Sequence, residues 1–535
     1  MGGTRKKVLW VDDEIEFLRA HIMFLETRGY SVIPVFSGDD AIHMLKEKDN
    51  EFDIVLLDEQ MPGKDGLATL EEIKEMLPGL PVVMVTKSEE ERVMEDALGK
   101  KIDGYLTKPV NPSQILMVCK RLLDSKQIIS DQVTQRFVRG YSENRMLLNS
   151  PLDAAGWVRL YENLTKWDFE LEKVNDEGLR QTHAGQKSDC NVAFSTYMME
   201  HYAAWVKGAE NPPSMSTDVV RKILAPRCTQ GKRVFFIVLE GMRLDQYFAV
   251  EMLLRDLFTI ERHYYYSILP TSSIFSRASL FSGLFPAEIA RQWPEWWKKG
   301  GPPEQQIHPL EPEFLSRNLR GLDVDAGKKP AFVDVDAGKK PAFVSVGTSA
   351  QAQQTLQNLN TLSRHKLVTM VVSFVNLLIQ SHATSPVLKE IAPDESAFRN
   401  LTKSWFQYSP IYQLLQELSR TDCTIILTTD HGSIYCTRGS EVYGSKGLPK
   451  DVRYSFEKNI TCDERHAIYL ADPSIYKLPA IPAGTTFVIA KENYYFIYPD
   501  KFENYKQQYQ NGFRYGGISM EEIILPLAVM QPKAA

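Results

Sequence analysis

Ile54-Val-Leu-Leu-Asp-Glu-Gln-Met-Pro-Gly-Lys-Asp-Gly66 decides how the first part of this chain folds. Four apolar residues, Ile54 to Leu57, end in a carboxylate at Asp58, and a turn rich in Pro and Gly follows. A run that is apolar on both faces suits a buried parallel strand, and open α/β sheets place their sites at the carboxyl ends of such strands. Three other stretches supply partners for that acid. Lys7-Val-Leu-Trp-Val-Asp-Asp-Glu14 ends in Asp12 and Asp13, Val82-Val-Met-Val-Thr-Lys87 in the hydroxyl of Thr86, and Gly104-Tyr-Leu-Thr-Lys-Pro109 in Lys108. Three carboxylates at neighbouring strand ends repel one another unless a hard divalent cation lies between them, and Mg²⁺ suits such oxygen ligands. An aspartate surrounded by carboxylates, a metal, a hydroxyl and an ammonium is equipped to accept a phosphoryl group. The two cations offset the anionic charge, and the hydroxyl can follow the acquired oxygen.

In this order the four stretches resemble a two-component receiver domain over residues 1–124. The competing reading, an ordinary doubly wound domain with coincidental acids, does not account for every part of the pattern recurring in sequence. The resemblance implies Asp58 as phosphoacceptor, with Asp12, Asp13, Asp58 and the Gln60 backbone around Mg²⁺. It implies Lys108 as the charge partner and Thr86 with Tyr105 as the relay pair. A sensor histidine kinase is the implied phosphoryl donor, and a homodimer the implied phosphorylated state.

At 535 residues the chain is too long for one core. Its net charge of -6 shows no basic excess of the kind that marks a nucleic-acid binder, which disfavours a DNA-reading transcription factor. Cysteines at 119, 190, 228, 423, 436 and 462 form no CxxC pair, which argues for a reducing compartment and against a Cys-type zinc site. The N-terminus is too poor in apolar residues for a signal peptide, and no run approaches a membrane span. The expected location is cytoplasmic.

Helices are expected near Glu14–Arg28, Gly38–Glu47, Gly66–Met76, Glu89–Leu98 and Ser113–Leu123, alternating with the strands. Residues 125–230 then read as a helical bundle linker, with helices over Gln132–Tyr141, Asp153–Val174 and Asn191–Lys207. A second α/β pattern fills residues 231–535. Its strands are expected at Lys232–Gly241, Ala342–Val346, Leu367–Val375, Thr424–Thr429, Ala467–Leu470 and Thr486–Ile489. Between two of them Asp323–Val333 repeats without change as Asp334–Val344. Two eleven-residue copies do not make a solenoid and fit a loop that tolerates insertion.

Four stretches of this half carry chemistry. Val238-Leu-Glu-Gly-Met-Arg-Leu-Asp245 brings Glu240 to a strand end. Leu269-Pro-Thr-Ser-Ser-Ile-Phe-Ser-Arg277 offers Thr271 just before an expected helix N-terminus, where it could hold an anion or serve only as a cap. Leu427-Thr-Thr-Asp-His-Gly432 ends in adjacent Asp430 and His431. Phe513-Arg-Tyr-Gly-Gly-Ile-Ser-Met-Glu-Glu522 precedes an apolar run. Asp463-Glu-Arg-His466 reads as an exposed charged loop.

In series these stretches resemble the PglZ type of the alkaline-phosphatase superfamily. Behind a receiver and helical linker, they make the chain similar to the PorX-like family of response regulators associated with type IX secretion. The resemblance implies two zinc ions, a threonine nucleophile and phosphodiester substrates, cyclic or oligonucleotide. It implies a sigma factor or secretion-system component as output partner. One zinc maps to Glu240, Thr271, Asp430 and His431, where a glutamate stands in the family's aspartate position. The other maps to Asn376, Gln380 and Tyr515, where the family has aspartate and two histidines. His382 lies six residues beyond Asn376, turned off the face that i and i+4 share. A phenol of pKa near 10 is a poor zinc ligand at neutral pH. The expectation is one Zn²⁺ at most and a degenerate second position. Two functions follow from this: a switch that binds a partner or nucleotide, or a phosphorylation-controlled zinc phosphodiesterase with Thr271 as nucleophile.

Overall fold

The computed structural model describes residues 5–47, 51–87, 102–174, 176–208, 211–294, 309–325, 341–444, 452–499 and 502–533. The chain divides into two compact units, 1–136 and 137–535.

In the first unit, β1 (Lys6–Val11), β2 (Tyr30–Val35), β3 (Ile54–Asp58), β4 (Val82–Thr86) and β5 (Gly104–Thr107) form a sheet in the order β2-β1-β3-β4-β5. All four pairings are parallel. Alternation along each strand builds a core on each face. Val8, Trp10, Leu56 and Val83 pack on one side. Leu9, Val11, Val55 and Leu57 pack on the other. This is why the strands read as unbroken apolar runs.

The helix expected over Glu14–Arg28 opens as a 3-10 turn, Ile15–Leu18, before the α-helix Arg19–Glu26. Asp12 accepts from the Glu14 amide at 2.8 Å and so holds that entry. Gly66–Met76 is a helix, with Asp65 capping the Ala68 amide. The helix Pro112–Cys119 starts with an Asn111–Gln114 capping box and continues as a π turn, Lys120–Asp124. The helix expected over Glu89–Leu98 lies outside the described residues.

The second unit is built on a six-stranded sheet. Its labelled strands are β6 (Arg233–Leu239), β7 (Phe258–Tyr266), β8 (Ala342–Val346), β9 (Leu367–Val372) and β10 (Cys423–Thr428). The strand Ile524–Pro532 lies between β7 and β10, and the order continues β10-β6-β9-β8. The pairs β10–β6, β6–β9 and β8–β9 are parallel. The C-terminal strand is antiparallel to both its neighbours. Four parallel strands thus lie side by side, and the fold class is α/β, with a helical segment ahead of this sheet.

That segment contains the helices Ser125–Leu148, Ala154–Glu172 and Glu177–Val206. Trp157, Leu160, Phe194 and Tyr202 share one apolar core with Val234, Phe236 and Ile425 of the sheet. The third helix starts fourteen residues before its expected Asn191, because its buried face includes His183 and Gln186 and so hides the apolar period. The exact repeat lies mostly outside the described residues. Its first copy begins within the helix Glu311–Asp325, and its second ends within β8. No described helix is long and apolar enough to cross a membrane.

Candidate functional site

In the first unit the ends of β1, β3, β4 and β5 bring the expected groups together. Asp12, Asp13 and Asp58 each place a carboxylate oxygen within 4.8 Å of the others. Lys108 donates to Asp12 at 2.8 Å and to Asp58 at 2.9 Å. Burial raises the Asp58 carboxyl above its ordinary range, against the opposing pull of Lys108. Asp13 and Gln60 line a cleft of about 520 Å³, with Glu59, Met61 and Asp65. Three carboxylates against one ammonium leave a deficit of positive charge, and the oxygen-only donor set fits Mg²⁺. The Thr86 hydroxyl hydrogen-bonds the Glu59 carboxylate. Tyr105 is half-buried on β5. Gly66 is required here: a Cβ would lie 2.2 Å from the Asp58 carbonyl oxygen.

In the second unit Glu240 follows β6 directly and Asp430-His431 follows β10 after one residue, so parallel register brings them side by side. Their ligand atoms lie within 4.8 Å of one another, and all three residues are buried. His431 Nδ1–H donates to the Gly432 carbonyl at 2.9 Å, since a carbonyl can only accept. With Nδ1 so engaged, Nε2 is the ring atom that faces the site, where a neutral imidazole would offer its lone pair to a metal.

The hydroxyl brought to this cluster belongs to Ser273, not Thr271. Ser273 Oγ lies 2.8 Å from Glu240 Oε1, 3.1 Å from Asp430 Oδ2 and 3.2 Å from His431 Nε2. Thr271 instead donates to the Gly517 carbonyl at 2.9 Å and accepts from the Gly516 amide at 3.1 Å. Thr271 does not cap the helix either, which begins only at Ser276. Three consecutive hydroxyls occupy 271–273, and irregular backbone gives no period from which to choose among them. The signal missed was the run itself.

One hydroxyl proton cannot satisfy three acceptors, so the cluster is short of positive charge. Arg277 supplies part of it. Its guanidinium lies 2.6 Å from Glu240, 3.6 Å from Asp430 and 2.6 Å from Glu311. Burial raises the Glu240 carboxyl, but Arg277, with the hydroxyls of Ser373 and Ser273, more than reverses this and holds it well below the usual range. Two carboxylates, an imidazole nitrogen and a hydroxyl form a donor set that fits one zinc ion.

The residues at the other expected metal position also converge. Asn376 donates to Glu240 at 2.9 Å, and its Oδ1 has no hydrogen-bond partner among the described residues. Gln380 lies 3.4 Å from the Tyr515 hydroxyl. The Tyr515 ring tilts over His431 with centroids 4.4 Å apart. Two amides and a phenol supply neither the charge nor the imidazoles of a zinc site, so these residues do not fit a second ion. His382 is elsewhere, held 3.0 Å from the Ala392 carbonyl and packed edge-on against Phe398 and Phe513. Asp463 to His466 form a turn at the surface, with Arg465 largely exposed.

Residues 8–120 match the family model described as response regulator receiver domain. Residues 127–206 match the PorX response regulator linker domain. Residues 218–530, over half the chain, match the BREX system PglZ alkaline phosphatase-like domain. Among curated relatives, the chain is 34% identical to the transcriptional regulatory protein ResD of Bacillus subtilis over 117 residues, 22% of this chain and 48% of ResD. It is 36% identical to ZraR of Salmonella typhimurium over 104 residues, 19% of this chain and 23% of ZraR. The chain therefore spans half or less of these two relatives. A CheY-like receiver domain structure from Methanospirillum hungatei JF-1 is 29% identical, covering 23% of this chain and 95% of that one, with a TM-score of 0.22.

Proposed function

The chain belongs to the PglZ alkaline phosphatase-like family and is a two-component response regulator, and from that premise we propose that phosphorylation of Asp58 controls an output site built for one divalent cation. A sensor histidine kinase is the phosphoryl source that a receiver implies. The observation that carries the output reading is the Asn376 amide donating to Glu240, with Gln380 and Tyr515 beside it. A neutral amide stands where a second cation would need an anionic ligand, and two-metal phosphoryl transfer needs both ions.

Mg²⁺ in the receiver would be held by Asp12, Asp13, Asp58 and the Gln60 backbone, where it offsets charge on an incoming phosphoryl group. Lys108 holds the Asp58 carboxylate, and Thr86 is the hydroxyl that would turn from Glu59 toward a new oxygen. In the output site Glu240, Asp430, His431 and Ser273 would hold one zinc ion, which lowers the pKa of an oxygen ligand and screens phosphate charge. The pocket then serves as a regulated binding site for a phosphate-bearing ligand such as a nucleotide, read out by a protein partner. Regulation of type IX secretion is the setting proposed for this output, through a sigma factor or a secretion-system component.

A second reading rests on Ser273. Its hydroxyl lies 3.2 Å from His431 Nε2, the arrangement of a nucleophile beside a base. On that reading the protein is a phosphodiesterase in which Ser273 replaces the expected Thr271.

Elemental analysis of the full chain in excess Mg²⁺ tests the first reading. One tightly held zinc per chain, lost in His431→Ala and retained in Thr271→Val, is the expected result. Two tightly held zincs would overturn it. Zinc-dependent cleavage of bis(p-nitrophenyl) phosphate, abolished by Ser273→Ala and unaffected by Thr271→Val, would establish the second.

A further inference from the structure

The helix Glu177–Val206 lies outside the site, yet its polar face reaches the loop that delivers Ser273 directly and the loops that deliver His431 and Glu240 through one intermediate segment each. Lys187, Asn191, Ser195 and Tyr202 follow at spacings of four, four and seven, which places them on one face. Buried polar groups are costly unless satisfied, so their partners are informative.

The Asn191 side chain, 5% exposed, is used at both ends. Its Oδ1 accepts from the Met520 amide at 2.9 Å and its Nδ2 donates to Glu521 at 2.9 Å. Ser195 donates to the Ile518 carbonyl at 3.4 Å. The loop so held passes its position to His431, because the Gly432 amide donates to the Glu522 carbonyl at 3.2 Å and Gly432 in turn fixes the imidazole.

Tyr202, fully buried, accepts from the Leu269 amide at 2.9 Å. Leu269 opens the loop that ends in Ser273. Lys187 donates to Glu395 at 2.8 Å, and Glu395 lies 3.7 Å from Arg243, three residues beyond Glu240. One helix is therefore linked to the hydroxyl's loop directly, to the imidazole through residues 518–522 and to the carboxylate's loop through Glu395 and Arg243.

We propose that Asn191 and Tyr202, with Lys187, are positioning residues of the Ser273 site, so that displacement of this one helix loosens all three of its ligating loops. The proposal rests on the one-cation reading above and adds the element by which that site is set. Residues that hold metal ligands from behind typically contribute 10–100-fold to metal affinity.

The test uses the full chain with Mg²⁺ in excess and zinc alone as the probe. Tyr202→Phe removes only a hydroxyl, and Asn191→Leu removes both bonds at similar volume. Leu414→Ala, a core deletion in the helix Pro410–Leu418, serves as a control for lost stability without lost tethers. Each tether variant is expected to weaken zinc binding by about 10-fold or more, whereas Leu414→Ala leaves it at the parental value. Equal zinc affinity in both tether variants and the parent would overturn the proposal. So would a loss in Leu414→Ala as large as theirs.

Amide hydrogen exchange without zinc separates this inference from the reading beneath it. Tyr202→Phe is expected to speed exchange over 269–273 and Asn191→Leu over 516–522, each leaving the other loop near the parental rate. If the parent binds no zinc, the one-cation reading fails while this pattern still decides the tethers. Unchanged exchange in both loops would overturn them.

Discussion

Asp58 and Glu240 are both carboxylates at strand ends, and their surroundings push them in opposite directions. At Asp58 burial outweighs the single ammonium of Lys108, so the carboxyl is raised. At Glu240 the Arg277 guanidinium and two hydroxyls outweigh a deeper burial, so it is lowered. The first residue is held as a charge in deficit of cations, ready for an added one. The second is already partly neutralised by the chain itself. A raised carboxyl costs folding stability wherever it is ionised: the contribution is favourable below the unfolded pKa and is lost as pH rises through the folded one. Asp58→Asn removes that cost. The variant receiver is expected to melt above the parent at pH 8, with the gap closing as pH falls toward 4. A melting series across that range checks it, and a gap that widens in acid would contradict the assigned direction.

Elements were more legible than the side chains between them. Strands β3 and β4 fall on their expected ranges because full burial writes itself as an apolar run, and β8 and the strand Ala467–Leu470 match theirs although each keeps an exposed position. The strand β7 was not legible: Glu261, Arg262 and His263 interrupt any alternation, and its charges are held by partners such as Glu251 and Glu162. The long helix Glu177–Val206 was half legible, since its first turns bury polar groups that the two preceding helices satisfy, His183 by Asp168 and Gln186 by the Tyr141 carbonyl. Among site residues, those at strand ends (Asp12, Asp58, Lys108, Glu240, Asp430, His431) could be placed from sequence. Ser273 could not, because it sits in a loop whose path depends on bonds to distant residues. The same dependence governs Gly432. A Cβ there would lie 1.8 Å from the Glu521 carbonyl oxygen, so two loops touch through a missing side chain. Gly432→Ala is expected to destabilise the second unit by about 1–3 kcal/mol and to leave the receiver transition in place. Calorimetric melting of the full chain reads both.

At the scale of the whole molecule, the two units carry separate cores and separate charge-poor sites, so the input and output chemistries can be perturbed one at a time. The proposed receiver change would begin at Thr86, whose hydroxyl now bonds Glu59. A phosphoryl group on Asp58 offers that hydroxyl a more strongly charged acceptor, and a charged acceptor makes the stronger bond. Withdrawal of Thr86 would let half-buried Tyr105 repack, and the surface around β5 would change with it. We expect the changed surface to pair two copies of the chain. Sedimentation should give the mass of one 61.0 kDa chain without a phosphoryl mimic and of two chains with beryllofluoride and Mg²⁺. Asp58→Ala should stay at one chain in both conditions. Ser273→Ala should shift as the parent does, because its site belongs to the other unit. A parental mass that ignores the mimic would refute phosphorylation-driven pairing. A Ser273→Ala variant that no longer pairs would instead show that dimerisation requires an intact output site.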